Sequence, residues 1–150
     1  MGDRRGQCIT WGSLGKLYLA QDNFATAEQA LRRSLETGRG SGIDFFLCDY
    51  LDSLSQLCLK QGRLPEAKTC ALESLAMARA VENKWIIWQS RFHYAQALMA
   101  DDPKAAKEEM ESLTTDAPGE KEKEILQSLL TKLRGFVEVS GQPQYLVVKV

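Results

Sequence analysis

Residues Trp11–Ser34 read WGSLGKLYLAQDNFATAEQALRRS, and this stretch decides the fold. The apolar residues of its first half are spaced i, i+3, i+7 and i+8, which places them on one face of a helix. They are Trp11, Leu14, Tyr18 and Leu19. The polar run 21–23 interrupts this pattern, and a second helical stripe begins at Phe24. The stretch therefore predicts two helices joined by a short turn.

The same pattern recurs 40 residues further along the chain. With that shift, the stripe of the first helix falls on apolar or small residues between Leu51 and Leu59. Two unrelated amphipathic helices would not keep both stripes and the turn in register, so we interpret the match as an internal repeat. Matched pairs include Gln21 with Gln61, Ala27 with Ala67 and Ser34 with Ser74.

A third pair of helices is weaker in the sequence but visible. Its first helix carries Trp85, Trp88 and Phe92, and the next begins at Asp102-Pro103, an acidic N-cap with proline in the first turn. The stripe of the second helix matches the earlier units if one residue is deleted; its members are Ala106, Met110 and Leu113. We therefore divide a repeat domain over 5–136 into units 5–40, 43–81 and 84–114 and an amphipathic capping helix over 119–136.

The final stretch, 137–150, changes character. Val137–Val139 and Tyr145–Val150 are rich in residues that favour strands, and a Gly-Gln-Pro-Gln segment separates them. This pattern predicts a small hairpin, a strand donated to a neighbour, or a flexible tail. An isolated hairpin is only marginally stable, so we expect a hairpin here to pack on another surface.

Charge and hydropathy exclude several classes of partner. Nineteen basic and twenty acidic residues give a net charge of −1, which argues against the broad electropositive face of a nucleic-acid binder. No apolar run approaches the roughly 20 residues needed to span a bilayer, and the N-terminus lacks the apolar core of a signal peptide. These features predict a cytoplasmic protein whose partners are neither nucleic acid nor membrane.

The four cysteines do not form a metal-binding pattern. They are Cys8, Cys48, Cys58 and Cys70, without a C-x-x-C pair, and His93 is the single histidine. We therefore expect no metal site and reduced thiols. Cys58 and Cys70 stand where the first unit has Tyr18 and Ala30, which predicts small buried side chains at both places.

Catalytic and cofactor motifs are also missing from the sequence. The sequence contains neither G-x-x-x-x-G-K-[ST] nor G-x-G-x-x-G, the two glycine-rich patterns that bind phosphate groups. The glycine-rich segment 38–42 lacks the lysine and the preceding strand of a phosphate-binding loop. No nucleophile motif accompanies His93. We therefore predict that the chain is not an enzyme and uses no cofactor.

The order of residues in the first unit resembles the tetratricopeptide repeat (TPR) family. The matching residues are Trp11, Leu14, Gly15, Tyr18, Ala27 and Leu31. The resemblance covers about 5–114, and the 40-residue period is similar to the long repeats of kinesin light chains and of the sensor arrays of large regulatory ATPases. It implies an all-α fold: a right-handed superhelix of about three helix pairs, a C-terminal capping helix and the short β-prone tail.

The resemblance also implies a non-catalytic scaffold or adaptor, part of a larger assembly, that holds a peptide or helix of a partner protein in a concave groove. The first helices of the units would line that groove with Ser13, Lys16, Asp49, Asp52, Ser53, Gln56, Gln89, Phe92, His93 and Gln96. The basic clamp with which some TPR domains hold chaperone C-termini is not reproduced, because Gly12 and Ser53 occupy two of its places. The alternative is a regulatory segment of a signalling ATPase or transcription regulator, with a small molecule bound near the aromatic residues Trp85, Trp88 and Phe92.

Overall fold

The computed structural model describes the backbone of residues 3–139 and the side chains of residues 3–134. Over that range the chain is all-helical, as predicted. The helices are α1 (Arg4–Ala20), α2 (Phe24–Gly38), α3 (Asp44–Lys60), α4 (Leu64–Ala80), α5 (Lys84–Leu98), α6 (Pro103–Thr115) and α7 (Glu120–Val139). Within residues 3–139, no helix combines the length and apolar character that crossing a bilayer requires.

Three of the helices end in the same kind of turn. Asp22, Gly62 and Glu82 follow α1, α3 and α4, and their φ angles are 56°, 73° and 56°. In each case the next backbone N–H bonds back to a carbonyl near the helix end, which is the Schellman arrangement. The three bonds are Asn23 N–H to Tyr18 O at 2.9 Å, Arg63 N–H to Cys58 O at 2.8 Å and Asn83 N–H to Ala78 O at 2.9 Å. The repeated turns explain why successive helices fold back on one another.

Small residues allow the helices of a pair to approach closely. A Cβ on Gly15 would lie 2.6 Å from Cγ of Leu31, so α1 and α2 cross at this glycine. The equivalent residue of the second pair, Ser55, is fully buried and donates a hydrogen bond to the carbonyl of Ala67 at 2.8 Å. The close crossing therefore recurs in α3 and α4 with a different small side chain.

Two buried hydrogen bonds repeat with the same 40-residue spacing as the sequence. Ser34 Oγ donates to the Cys8 carbonyl at 2.7 Å, and Ser74 Oγ donates to the Cys48 carbonyl, also at 2.7 Å. Both serines are fully buried. The first two helix pairs are therefore built alike at the level of individual atoms.

The helices are arranged in two layers. Each helix packs on the next along the chain, and α3 also contacts α1 and α5, so these three helices lie side by side. We call their outer surface the α1/α3/α5 face. The opposite layer contains α2 and α4, which are linked by ion pairs such as that between Arg39 and Glu73 at 2.9 Å.

The apolar core consists of two main clusters and a small third one. The first cluster joins α1 to α4 around Leu31, Leu51, Leu54 and Leu57, and Ala97 of α5 also belongs to it. The second joins α5, α6 and α7, and includes Trp88, Met99, Leu126 and Leu133. It also contains Ala106, Met110 and Leu113, all fully buried. These are the positions that match the earlier units once one residue is deleted from the alignment. Cys48, Ala78 and Ile86 form the third cluster between the other two.

The structure shows one packing contact that the sequence did not indicate, and it corrects one expectation. The space between α1 and α3 is filled by Tyr50, whose ring lies against Gly12, whereas Trp11 lies beneath the guanidinium of Arg33 of α2. Cys70 is half-buried, although Cys58 is buried as predicted.

The chain end also differs from its prediction. Val137–Val139 were assigned to a β-prone tail, but α7 continues through these residues to Val139. The apolar spacing that begins at Leu126 and Leu130 continues at Leu133 and Val137, so the helical period extends into the segment and outweighs its strand preference. The rest of the predicted tail, 140–150, lies outside the described residues.

Candidate functional site

A surface cavity of about 240 Å³ lies between α3 and α5. Three residues of α3 and three of α5 line it, and each set lies within about one helical turn: Gln56, Leu59 and Lys60, then Phe92, His93 and Gln96. We call it the α3/α5 cavity. Four of the predicted groove residues meet here, namely Gln56, Phe92, His93 and Gln96.

Beneath this cavity, the carboxylate of Asp52 holds the ring of His93. Both residues are buried, with exposures of 3% and 8%. The atoms His93 Nδ1 and Asp52 Oδ1 are 2.8 Å apart. At this distance the ring nitrogen and the carboxylate oxygen share a hydrogen bond. The contact fixes the orientation of the ring and leaves Nε2 as its free nitrogen.

Other buried polar side chains extend this contact. Ser90 Oγ donates to Asp52 Oδ1 at 3.4 Å and lies 2.7 Å from Ser74 Oγ. With its amide oriented to satisfy both neighbours, Gln89 donates to Asp52 Oδ2 at 3.1 Å and accepts from Trp85 Nε1 at 3.2 Å. We refer to Asp52, Ser74, Gln89, Ser90 and His93 as the Asp52 network. Among the described side chains, no buried nitrogen or oxygen lacks a hydrogen-bond partner.

The remaining predicted residues are distributed differently. Lys16 and Asp49 form an ion pair between α1 and α3, with Nζ and Oδ2 2.7 Å apart, and Ser13 is exposed one turn away. Ser53 is only 5% exposed and donates to the carbonyl of Asp49 at 3.0 Å. Asp52 and Ser53 were expected to line the groove, and the structure instead buries both. The covering α5 takes up the carboxylate of Asp52, and the hydroxyl of Ser53 is satisfied by its own helix.

Two lining residues were missed by the sequence analysis. Leu59 and Lys60 follow Gln56 by one helical turn, so they share its face of α3. The ammonium of Lys60 lies 3.3 Å from Oδ1 of Asp22, at the exposed rim. The i, i+3, i+4 rule applied to Gln56 would have identified both positions.

The aromatic residues of α5 form a stack along the helix. The ring centroids of Trp85 and Trp88 are 6.3 Å apart, and those of Trp88 and Phe92 are 5.4 Å apart. Trp88 is buried and donates from Nε1 to the carbonyl of Leu113 at 3.2 Å, which ties α5 to α6. Trp88 also lines a second cavity, of about 300 Å³, with Lys84, Ile87, Arg91 and Asp116. The three aromatic residues therefore lie in different surroundings. Trp88 is buried, Phe92 lines the α3/α5 cavity, and Trp85 is 45% exposed.

A charged cluster lies on the opposite layer, between α2 and α4. Arg63 donates to Glu28 Oε2 at 2.8 Å and also pairs with Glu66. The hydrogen bond from Arg63, assisted by Arg32, lowers the pKa of Glu28 below its usual range, although partial burial opposes this shift. This cluster fastens one helix pair to the next at a distance from the α3/α5 cavity.

Comparison with known proteins adds no information to these local observations. Within the described residues, no group of three or more histidine, cysteine or acidic side chains is arranged to hold a metal ion. No protein-family model, curated protein or solved structure gives a significant match to this chain.

Proposed function

We propose that this chain is a TPR-like stack, coiled as a right-handed superhelix, that binds an extended peptide segment of a partner protein on its α1/α3/α5 face. The role would be that of a scaffold or adaptor within a larger assembly. The observation that carries the proposal is the α3/α5 cavity, in which amide, imidazole and aromatic side chains of two repeat units converge.

The chemistry of the cavity suits a peptide backbone. Gln56 and Gln96 occupy equivalent places in their units and line the cavity from opposite sides. Each amide both donates and accepts hydrogen bonds, as a peptide group does. Phe92 and Leu59 supply an apolar surface for a side chain of the bound segment.

The charges near the cavity favour an uncharged segment. Lys16 is paired with Asp49, and Lys60 with Asp22. Lys16 and Lys60 thus each have an acidic neighbour in the same protein, which reduces their attraction for a charged ligand. Recognition would then depend on hydrogen bonds and shape.

The site is also rigid, which favours binding. The Asp52 network fixes His93 before a ligand arrives, so less conformational entropy is lost on association. The side chains that line the α3/α5 cavity include neither a hydroxyl nor a thiol that Nε2 of His93 could activate. This lining supports binding in preference to nucleophilic catalysis.

A peptide selection tests the proposal. A random-peptide library displayed on phage is selected against the whole chain, and the selected peptides are measured against the Gln56→Ala/Gln96→Ala double variant. The control is Gln29→Ala/Gln127→Ala, which removes two exposed amides from α2 and α7. Each hydrogen bond contributes about 0.5–1.5 kcal/mol, so we expect the cavity variant to bind about tenfold more weakly and the control to bind normally.

Two other outcomes would change the assignment. Peptides that bind the cavity variant as tightly as the control would place the binding site elsewhere. A small molecule that raises the melting temperature of the wild type but not of the cavity variant would support the regulatory alternative. Asp52 is left unchanged in this design, because its replacement would leave buried partners without hydrogen bonds.

A further inference from the structure

One ring nitrogen of His93 has no hydrogen-bond partner within the part of the chain that the structure describes. Nδ1 lies 2.8 Å from Oδ1 of Asp52, and no described residue forms a hydrogen bond with Nε2. Because no fully buried side-chain nitrogen or oxygen in this range lacks a partner, Nε2 must be open to solvent. His93 is only 8% exposed and lines the α3/α5 cavity, so Nε2 opens into this cavity.

The carboxylate behind the ring receives hydrogen bonds from two other side chains. Ser90 Oγ donates to Oδ1 of Asp52 at 3.4 Å, and the amide of Gln89, in its satisfied orientation, donates to Oδ2 at 3.1 Å. These donors match a carboxylate in its ionised form, which accepts hydrogen bonds only. In a neutral histidine with such a neighbour, the proton resides on the nitrogen beside the carboxylate, and the outer nitrogen accepts hydrogen bonds.

The rest of the lining restricts the group that can approach Nε2. Two glutamine amides line the cavity, and each of them both donates and accepts hydrogen bonds. Phe92 and Leu59 are apolar, and Nζ of Lys60 lies 3.3 Å from Oδ1 of Asp22 at the rim. A bound lysine or arginine would place a second cation beside Lys60, and a carboxylate has no proton to donate at neutral pH. The group that fits is therefore an uncharged donor.

A small hydroxyl side chain meets these requirements best. A hydroxyl donates one hydrogen bond and also accepts, so it can donate to Nε2 and accept from a glutamine amide at the same time. The methyl group of threonine would in addition contact the apolar part of the lining, which Phe92 and Leu59 provide.

We propose that His93 selects a serine or threonine of the partner segment, whose hydroxyl donates a hydrogen bond to Nε2 in the α3/α5 cavity. This assignment rests on the proposed function, because it names the side chain that the peptide site recognises. Asp52 is a positioning residue: its carboxylate holds Nδ1 and so directs Nε2 towards the ligand.

The coupling between a peptide hydroxyl and His93 tests the proposal. The random-peptide phage library is selected against the whole chain, and the selected peptides are synthesised with each serine replaced by alanine and each threonine by valine. Their dissociation constants are measured for the wild type and for His93→Asn. Asparagine keeps an amide N–H at the place of Nδ1, which preserves a donor for Asp52, but it has no atom at the place of Nε2.

We expect one serine or threonine to recur among the selected peptides. Its replacement should weaken binding to the wild type about tenfold, which corresponds to the loss of one hydrogen bond. The same replacement should change binding to His93→Asn by less than about twofold. An equal loss in both proteins would overturn the proposal, because the hydroxyl would then contact another group.

The selection also separates this proposal from the one on which it rests. Peptides that are weakened by Gln56→Ala/Gln96→Ala but share no serine or threonine would overturn the role of His93 and leave the peptide site in place. Peptides that are insensitive to that double variant would refute both proposals.

Nitrogen NMR of the wild type needs no variant. His93 is the single histidine, so isotope labelling of histidine gives one pair of ring-nitrogen signals, and their shifts distinguish a protonated nitrogen from an unprotonated one. At about pH 8, above the ordinary range for histidine, we expect the proton on Nδ1 and none on Nε2. A peptide with the recurring hydroxyl should shift the Nε2 signal more than its alanine or valine version does. A proton on Nε2 in the free protein would overturn the proposal.

Discussion

Gly12→Ala gives a direct test of how α1 packs on α3. A Cβ at this position would lie 2.2 Å from Cζ of Tyr50 and 2.4 Å from two other ring carbons. Non-bonded carbon atoms prefer separations of about 3.5–4.0 Å, so the ring would have to move by more than about 1 Å. Tyr50 is only 3% exposed, and its enclosure leaves the ring little room to do so.

The size of the effect follows from two opposing contributions. Alanine in a helix interior is favoured over glycine by about 1 kcal/mol. Overpacking a core typically costs about 1–3 kcal/mol and occasionally more, and the short contacts to three ring atoms place this site at the upper end. We expect a net loss of about 1–2 kcal/mol, which lowers the melting temperature by about 2–8 °C for a chain of this size.

Thermal unfolding followed by circular dichroism measures this change. The matched control is Gly12→Ala in a Tyr50→Leu background, where the ring is gone and the same substitution should cost less or become stabilising. An unchanged or higher melting temperature for Gly12→Ala in the wild-type background would refute the reasoning. It would mean that Tyr50 does not lie against Gly12.

Two further predictions concern the second helix pair and its charged cluster. Ala67 is fully buried, so Ala67→Leu should destabilise the fold by about 1–3 kcal/mol in thermal unfolding. Ala76 is exposed on the same helix, so Ala76→Leu should have little effect. Equal melting temperatures for the two variants would contradict the close crossing of α3 and α4. The lowered pKa of Glu28 contributes stability above the ordinary glutamate pKa of about 4.3, and this contribution is lost as the pH falls through the lower folded-state value. The urea midpoint should therefore fall more steeply below about pH 4.3 in the wild type than in Glu28→Gln, and parallel pH profiles would argue against the Arg63–Glu28 contact.

The helices were predictable because their signals are local. Apolar spacing and turn residues lie within a few positions of the backbone that they specify. The predicted cap at Asp102 is present, with Oδ1 accepting from Ala105 N–H at 3.1 Å, and Pro103 begins α6. The end of α7 was misjudged because Val137–Val139 fits both a strand and the end of a helical stripe.

The site was only partly predictable, because burial depends on neighbouring helices. Gln56 and Gln96 follow from their equivalent places in the repeat, and both reach the α3/α5 cavity. The burial of Asp52 depends on the side chains that α5 places over it, and the sequence of α3 carries no sign of them. Gly12 did give a signal: a glycine in a helix interior costs stability, and one retained there indicates a close contact.

The division of the core into two main clusters has a consequence for cooperativity. The first cluster, which joins α1 to α4 and includes Ala97 of α5, meets the α5–α7 cluster at that helix, beside the small third cluster and the Asp52 network. Hydrogen bonds weaken steeply with changes in distance and angle, whereas apolar contacts tolerate small displacements. A slight rotation of α5 on α3 would therefore weaken the Asp52–His93 contact before it disrupted the apolar packing of α5. A ligand seated in the α3/α5 cavity touches both helices, so its binding would make the two halves unfold as one cooperative unit.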